Sequence, residues 1–94
     1  MIRKKIKKWH DGDSGVFSNG EKFRLARVRA PEKNRKGGST ALRSASGMSS
    51  RTNGRVSVER VARDKYGRSI VEIKNKHGSI NDRLRKKGYT NKGR

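Results

Sequence analysis

The residues of this sequence with the clearest chemical capacity are its cations. The chain holds 27 Lys and Arg residues against 8 Asp and Glu residues, which gives a formal net charge of +19. Basic runs lie at Arg3-Lys4-Lys5, at 33–36 and at 83–87. Clustered cations attract phosphate backbones, because binding releases the counterions that the phosphates hold. The sequence therefore predicts a polyanionic partner, and nucleic acid is the first candidate.

Other classes of site find little support in the composition. The 94 residues contain no cysteine, which excludes disulfides and thiolate zinc sites, and the two histidines alone do not make a metal cluster. No stretch approaches the roughly 18 consecutive apolar residues of a membrane span, and no apolar segment follows the basic start as in a secretory signal. We therefore expect one small cytoplasmic domain over residues 1–94, with basic extensions at about 1–5 and 89–94 and no membrane partner.

Short apolar runs separated by turn signals predict the elements that position these charges. Strands are predicted at 2–9, 16–17, 23–28, 56–59 and 70–74, with Trp9, Phe17 and Phe23 as core residues rather than base-stacking platforms. Helical spacing predicts a helix at 39–51 with Ser39 as its N-cap. A last helix is predicted from Ser79, with capping-box spacing at its start and Gly88 at its C-terminal cap.

The order of these elements indicates the fold class. Three strands, a helix, two strands and a final helix are typical of a mainly β (α+β) domain. We expect a five-stranded Greek-key barrel of OB type, with one inserted and one C-terminal helix.

Three segments, taken together, resemble a known family. Asp11-Gly12-Asp13-Ser14 follows the first strand, Phe23-Arg24-Leu25 leads to Ala30-Pro31-Glu32, and Asp64-Lys65-Tyr66-Gly67-Arg68 forms a later turn. They resemble, in this order, the Asp-Gly-Asp-Thr turn, the Arg-Leu-x-x-x-Asp-x-Pro-Glu segment and the Asp-x-Tyr-Gly-Arg turn of the staphylococcal nuclease-like (thermonuclease) family. The likeness spans about residues 5–89 and implies an OB barrel with added helices.

The resemblance also implies a set of site residues. In the family, Ca²⁺ is held by carboxylates of the Asp-Gly-Asp turn and of the Asp before x-Pro-Glu, and a Glu is the proposed general base. Two Arg side chains bind the phosphate. Matched position by position, this implies Asp13 as a metal ligand, Glu32 as the base, and Arg24 and Arg68 as the phosphate-binding residues.

One position departs from the family pattern. The second metal-binding Asp falls at Arg29, so a cation stands where a carboxylate would face Ca²⁺. Reversing one charge at ~5 Å from a dication costs on the order of several kcal/mol at an effective dielectric of ~20, and calcium needs about six to eight oxygen ligands. We therefore expect no cofactor, unless a nuclease function retains Ca²⁺. Asp13 would then only cap backbone amides, and Glu32 would pair with Arg24, Arg29 or Arg68.

Two functions fit this pattern. The first is a structural ribosomal RNA-binding protein, a ribosome component whose nuclease-like barrel has lost its metal site, with neighbouring ribosomal proteins as further contacts. The alternative is a calcium-dependent phosphodiesterase that cleaves single-stranded DNA or RNA. A third function, DNA compaction, leaves the nuclease-like motifs without a role. Arg29 favours binding over catalysis.

The residues expected to contact nucleic acid come from the motifs and from the basic runs. Tyr66 is the candidate for base stacking, because it lies in a turn. The expected contacts are Arg24, Arg29, Lys33, Arg35, Lys36, Lys65, Tyr66, Arg68, Arg85, Lys86 and Lys87. The sequence carries no visible base-reading motif, which predicts recognition of backbone and shape.

Overall fold

The computed structural model describes residues 2–90, so most of the predicted extension at 89–94 lies outside the described residues. Its elements, in chain order, are β1 (Ile2–Asp11), β2 (Ser14–Phe17), β3 (Lys22–Leu25), α1 (Gly38–Ser50), β4 (Arg55–Arg63), β5 (Ser69–Asn75), β6 (Gly78–Ser79) and α2 (Ile80–Lys86). Within this range, neither helix has the length and apolar character needed to cross a membrane.

The strands close into a barrel with the predicted OB topology. Hydrogen bonds link them in the order β3-β2-β1-β4-β5, and a parallel pairing of β3 with β5 completes the ring. β1 pairs with β4 through residues 2–5 and with β2 through residues 6–11. Two register shifts in the second half of β1 bend it around the barrel. The basic residues Arg3, Lys4 and Lys5, expected within an extension at about 1–5, thus lie in the sheet.

An aromatic cluster lies at the centre of the barrel. Phe23 is fully buried and stacks on Phe17 with ring centroids 4.5 Å apart, while Trp9 meets it edge-on at 5.2 Å. Aliphatic residues from β1, β3, β4, β5 and both helices complete this core. The prediction that the three aromatic side chains are core residues is confirmed.

Helix α1 is held by packing rather than by intrinsic propensity. Six of its 13 residues are Ser or Thr and two are Gly, which are weak helix formers. Ala41 and Ala45 are fully buried. The Ser49 hydroxyl accepts a hydrogen bond from Trp9 Nε1 at 3.0 Å, which ties the end of α1 to β1.

The start of α1 differs from the prediction. The N-cap is Gly37, at φ 82°, and the helix begins at Gly38, so the assignment of Ser39 as N-cap is wrong. A Cβ at position 38 would lie 1.7 Å from the carbonyl oxygen of Glu32. The close passage of the preceding loop therefore requires glycine here, and contact with that loop decides where the helix begins.

The third strand also ends earlier than predicted. β3 stops at Leu25, because the chain turns at Arg27, which adopts a left-handed φ of 59°. Val28 forms an isolated bridge with Thr90 instead of continuing the strand. The prediction of a strand to Val28 is wrong at this end, and the turn brings the following loop across the end of the barrel.

Helix α2 carries both predicted caps. The Ser79 hydroxyl accepts a hydrogen bond from the Asp82 N–H at 3.1 Å. Gly88 follows the helix at φ 101°, and its N–H donates to the Arg85 carbonyl at 2.9 Å. Local signals therefore place the two ends of α2, whereas the start of α1 depends on contact with the preceding loop.

A pair of glycine substitutions tests the packing between α1 and the β1–β2 turn. A Cβ at Gly12 would lie 2.7 Å from Ala41 Cβ and 2.9 Å from Ala30 Cβ. Gly12→Ala is therefore expected to lower the free energy of unfolding by about 1–3 kcal/mol, measured by urea denaturation. Gly47→Ala is the control, since a Cβ at this exposed helical site meets nothing within 4 Å. It should raise stability by up to ~1 kcal/mol, and equal effects of the two changes would contradict the expectation.

Candidate functional site

The motif residues meet in a cleft at one end of the barrel. The cleft has a volume of about 680 Å³ and lies where β1 ends and where β2 and β5 begin. Four arginines and three carboxylates line it, together with small and polar residues. The lining consists of Asp11, Asp13, Ser14, Arg24, Arg29, Ala30, Pro31, Glu32, Arg35, Arg68 and Thr90.

The parallel pairing of β3 with β5 brings the two predicted phosphate-binding arginines together. Arg24 lies opposite Ile70 of β5 in the sheet, and Arg68 directly precedes β5. The Arg68 Nε–H donates to Asp64 Oδ2 at 2.7 Å. This pair orients the guanidinium, which carries four further N–H donors on its terminal nitrogens.

Asp64 organises the turn that carries Arg68. Its Oδ1 accepts hydrogen bonds from the Tyr66 N–H at 2.9 Å and the Arg68 N–H at 2.8 Å, as in an Asx turn. Desolvation opposes ionisation of the carboxyl group, but the hydrogen bonds from Arg68 and Tyr66 outweigh it and lower the pKa of Asp64. The carboxylate is therefore charged at neutral pH and can hold Arg68 in place.

Asp13 contacts the backbone of the loop that follows β3. Its Oδ2 accepts a hydrogen bond from the Ala30 N–H at 3.1 Å. Burial raises the pKa of Asp13, and the Ala30 N–H and the nearby charge of Arg24 partly offset this effect. Asp13 therefore accepts a backbone N–H, as predicted, but this N–H belongs to the loop after β3 and not to the turn that contains Asp13.

Asp13→Asn tests the cost of this buried charge. Asparagine keeps an oxygen to accept the Ala30 N–H, but it carries no charge to desolvate. Because folding raises the pKa of Asp13, the folded protein binds a proton there more readily than the unfolded chain, and ionised Asp13 lowers stability at neutral pH. The variant should be more stable at pH 7 by less than about 1 kcal/mol, with no difference at about pH 3, below the pKa of the unfolded carboxyl group. A variant less stable than wild type in urea at pH 7 would contradict this.

Glu32 and Arg29 lie at the exposed rim of the cleft. The Glu32 side chain is 69% exposed and pairs with Arg35 at 3.8 Å. The predicted pairing of Glu32 with Arg24, Arg29 or Arg68 is therefore wrong. Arg35 takes this role because it lies three residues along the same exposed loop. A pair this open to solvent contributes little stability and does not fix the carboxylate.

The other predicted contacts fall outside the lining of the cleft. Tyr66 is 73% exposed in the β4–β5 turn, with Lys65 Nζ and Arg68 Cζ at 5.3 and 5.9 Å from its ring centroid. The cations at positions 33 and 36 are exposed in the loop before α1, and those at 85–87 are exposed on and just after α2. The predicted contacts that the cleft leaves out are Lys33, Lys36, Lys65, Tyr66, Arg85, Lys86 and Lys87.

The structure adds cleft residues that the motifs did not single out. Asp11 Oδ1 accepts a hydrogen bond from the Lys33 N–H at 2.8 Å, which anchors the basic loop. Its place in the Asp-Gly-Asp turn could have indicated this role. Thr90 carries no such signal, because its position depends on the long-range bridge to Val28.

Each aspartate of the Asp-Gly-Asp turn uses one carboxylate oxygen on a backbone N–H. Asp11 binds the N–H of Lys33, and Asp13 binds that of Ala30. Over residues 2–90, no group of three or more His, Cys, Asp or Glu residues is arranged to hold a metal ion. Cationic side chains outnumber the carboxylates in the cleft.

Comparison with known proteins bears on the resemblance of the motifs. No curated protein matches the chain. The family model for "staphylococcal nuclease homologue" matches residues 22–93, a range that includes the Arg24–Glu32 segment and the turn at 64–68. That match covers well over half of the chain, and the closed barrel agrees with it. The chain therefore belongs to the staphylococcal nuclease homologue family.

Proposed function

We propose that this protein binds structural RNA, above all ribosomal RNA, through the phosphate backbone and without cleaving it. The observation that carries this proposal is the gathering of Arg24, Arg29, Arg35 and Arg68 around one cleft. Arginine suits this role because its planar guanidinium donates two parallel hydrogen bonds to a phosphate. Asp64 holds one of these groups in a fixed orientation, which reduces the entropy lost on binding.

The cleft favours an anion over a calcium ion. Arg29 replaces the second acidic ligand that the family resemblance implies, while Asp11 and Asp13 already accept backbone hydrogen bonds. These residues do not fit a dication that needs about six to eight oxygen ligands. Without a metal, the cleft would bind a phosphate and supply no Lewis acid to activate it. We propose that the protein has no metal cofactor.

The charge of the whole chain supports a large RNA as the ligand. A net charge of +19 on 94 residues suits a partner with crowded phosphates. Ribosomal RNA has that property, and such an assembly would place the protein in the cytoplasm beside other ribosomal proteins. Recognition would depend on backbone and shape, since no base-reading motif is visible in the sequence.

A calcium-dependent nuclease is the second candidate, because one specific observation favours it. Arg24, Glu32 and Arg68, which the family resemblance implies as catalytic, line the same cleft. In that function, Glu32 would take a proton from the attacking water and the two arginines would stabilise charge on the phosphate. The exposure of the Glu32 side chain and the positive charge of Arg29 weigh against the nuclease function.

Cleavage and binding assays on the same substrates separate the two functions. Single-stranded DNA and RNA are incubated with the protein in Ca²⁺ or in EDTA, beside Glu32→Ala. We expect tight binding in both media and no cleavage in either. Cleavage that requires Ca²⁺ and disappears in Glu32→Ala would overturn the proposal. Arg29→Asp is the matched variant, because it restores a carboxylate at position 29. If calorimetry detects calcium binding in this variant but not in the wild-type protein, the loss of the calcium site through Arg29 is supported.

Cosedimentation tests the ribosomal part of the proposal. Ribosomal particles are pelleted with the protein over increasing salt, with bulk DNA present as competitor. We expect retention on the particles at salt concentrations that remove the protein from DNA. Release at low salt, or an equal preference for DNA, would contradict a ribosomal role.

A further inference from the structure

A second concentration of positive charge lies at the opposite end of the barrel from the cleft. A groove of about 740 Å³ is formed where β1 and β4 begin and where β5 ends. Lys4 lines it too, but pairs with Glu21. The other cations along this groove are Arg3, Lys5, Arg51, Arg55, Lys74 and Lys76.

A smaller groove between α1 and α2 continues this surface. It has a volume of about 320 Å³, and its cations are Arg43, Arg51, Arg83 and Lys87. Arg51 lines both grooves, so the two are contiguous. We call the surface that lines them the distal basic face.

Arg83 is held in a fixed position within the distal basic face. Its Nη2 donates to Asn75 Oδ1 at 3.1 Å and its Nε donates to the Ser79 carbonyl at 3.3 Å. Burial lowers the pKa of Arg83, and the nearby charge of Arg51 lowers it further. A guanidinium fixed by neutral partners keeps its full charge for a ligand.

Carboxylates are distributed unevenly between the two ends of the barrel. Three of them line the cleft, whereas none of those in residues 2–90 lines the distal basic face. Among these residues, the four ion pairs involve Lys4, Arg27, Arg35 and Arg68. Uncompensated like charges repel one another and oppose folding, so an external polyanion is the partner that this face fits.

The larger groove of the distal basic face and the cleft are too far apart to share one short segment of backbone. Lys5 at the distal end and Asp11 at the cleft are six residues apart on β1, which is about 20 Å at ~3.3 Å per residue. β5 runs in the same way from Ser69, next to the cleft, to Lys74 at the distal end. The longest dimension of the molecule is 31 Å, so the cleft and the larger groove lie near opposite extremes. The smaller groove reaches closer to the cleft, because its Lys87 is three residues from Thr90.

We propose that the distal basic face is a second nucleic-acid site, so that one molecule holds two segments of RNA backbone, one at each end of the barrel; this inference rests on the proposed function of the cleft. The ligand at the distal face is the phosphate backbone, since cations line the grooves and Arg83 is oriented there. A protein with two such surfaces joins RNA segments that would otherwise repel each other.

A bridging assay tests this inference. One RNA duplex is tethered to beads, a second carries a fluorophore, and capture of the second on the beads is measured at limiting protein. The distal variant is Arg51→Gln, Lys74→Gln and Lys76→Gln. The control variant, with the same loss of charge, is Lys22→Gln, Arg60→Gln and Arg63→Gln, which are exposed strand residues that line neither the cleft nor the distal basic face.

The expected results distinguish binding at a specific second site from an effect of the total net charge. The distal variant should capture at least tenfold less fluorescent RNA while its own binding to the tethered RNA changes by less than about threefold. The control variant should change less than about threefold in both measurements. Equal losses in the two variants, or unchanged capture in the distal variant, would overturn the inference. The inference would also be overturned if the distal variant lost only its binding to phosphatidylserine vesicles, because the distal basic face would then bind a membrane.

The same assay distinguishes failure of this inference from failure of the proposed function. Wild-type protein that binds the tethered RNA but captures no second duplex overturns the two-site inference and leaves the cleft proposal intact. Wild-type protein that does not bind the tethered RNA overturns both. Urea unfolding of each variant verifies that the exposed substitutions leave the fold intact.

Discussion

Asn81→Ala is expected to lower the free energy of unfolding by about 3–5 kcal/mol, the largest stability effect that we predict for a single polar residue. The Asn81 side chain is 1% exposed at the start of α2. Its Oδ1 accepts the Ile73 N–H at 2.9 Å, and its Nδ2 donates to the carbonyls of Ala26 and Val71, both at 3.0 Å. The side chain thus joins α2 to β5 and to the turn after β3, where the barrel closes.

The size of this effect follows from the groups left without a partner. The Val71 carbonyl still accepts the Ala26 N–H at 2.8 Å, but the Ile73 N–H and the Ala26 carbonyl each lose the bond from Asn81. An unsatisfied buried polar group costs about 1–3 kcal/mol, and the missing side-chain volume adds a cavity. Since a small domain has a total stability of only about 5–15 kcal/mol, the variant should be partly unfolded near its physiological temperature.

Two further variants check the cause of the destabilisation. Asn34→Ala removes an exposed amide in the loop before α1 and should change stability by less than ~0.5 kcal/mol. Asn81→Asp keeps the acceptor oxygen but buries a charge beside two carbonyls. The pKa of the new carboxyl group should therefore rise, and the variant protein should become more stable as the pH falls. Urea denaturation at neutral and acid pH measures all three. A cost for Asn81→Ala no larger than that for Asn34→Ala would show that these hydrogen bonds contribute no net stability.

The double substitution Arg24→Gln with Arg68→Gln is expected to weaken RNA binding about 10- to 100-fold at low salt. Both residues line the cleft, and Arg68 is held there by Asp64. Charge-assisted hydrogen bonds to phosphate are each worth about 1.5–3 kcal/mol before competing costs. Losing two phosphate contacts should also reduce the magnitude of the slope of log K against log[salt] by about 1.4–1.8.

A matched pair of exposed arginines provides the control for the cleft. Arg60→Gln with Arg63→Gln removes the same charge from β4, away from the lining of the cleft. This pair should weaken binding by no more than about threefold. Fluorescence anisotropy at several salt concentrations measures both double variants. Equal weakening by the two would mean that net charge, and not the cleft, determines affinity.

Much of the fold follows from local sequence signals. The caps of α2 were predicted because Ser79, Asp82 and Gly88 act on neighbouring backbone groups. The barrel with its inserted helix was predicted because alternating apolar residues and turn signals mark each strand. The start of α1 and the end of β3 were predicted incorrectly, since they depend on contacts that a residue pattern does not contain. A glycine is required at position 38 only because a Cβ there would lie 1.7 Å from the carbonyl oxygen of Glu32.

The candidate site shows the same division. The motifs named Arg24, Arg68 and Asp13 by their resemblance to a family, and the cleft brings these residues together. The partner of Glu32 was predicted incorrectly, because the choice among several arginines depends on the path of an exposed loop. The basic runs at 3–5 and 83–87 were predicted to attract a polyanion, and Lys87 was among the predicted contacts. Their assembly with Arg51 and Lys74 into one distal basic face was not predicted, although the stretch between Glu32 and Glu59 holds no carboxylate. The lack of carboxylates in this stretch produces a basic surface only because the fold places the strand ends and the helices side by side.

The sequence by itself determined the sign and the excess of charge, which predict a polyanionic partner, and it placed Arg29 where the family resemblance implies a metal-binding Asp. These are properties of residue types and of their order along the chain. Only the tertiary structure decided that cations line two surfaces, and that three carboxylates line one of these surfaces and none of those in residues 2–90 lines the other. The physical reason is that electrostatic energy depends on distances in space, and the pairing of β3 with β5 sets those distances between residues far apart in sequence.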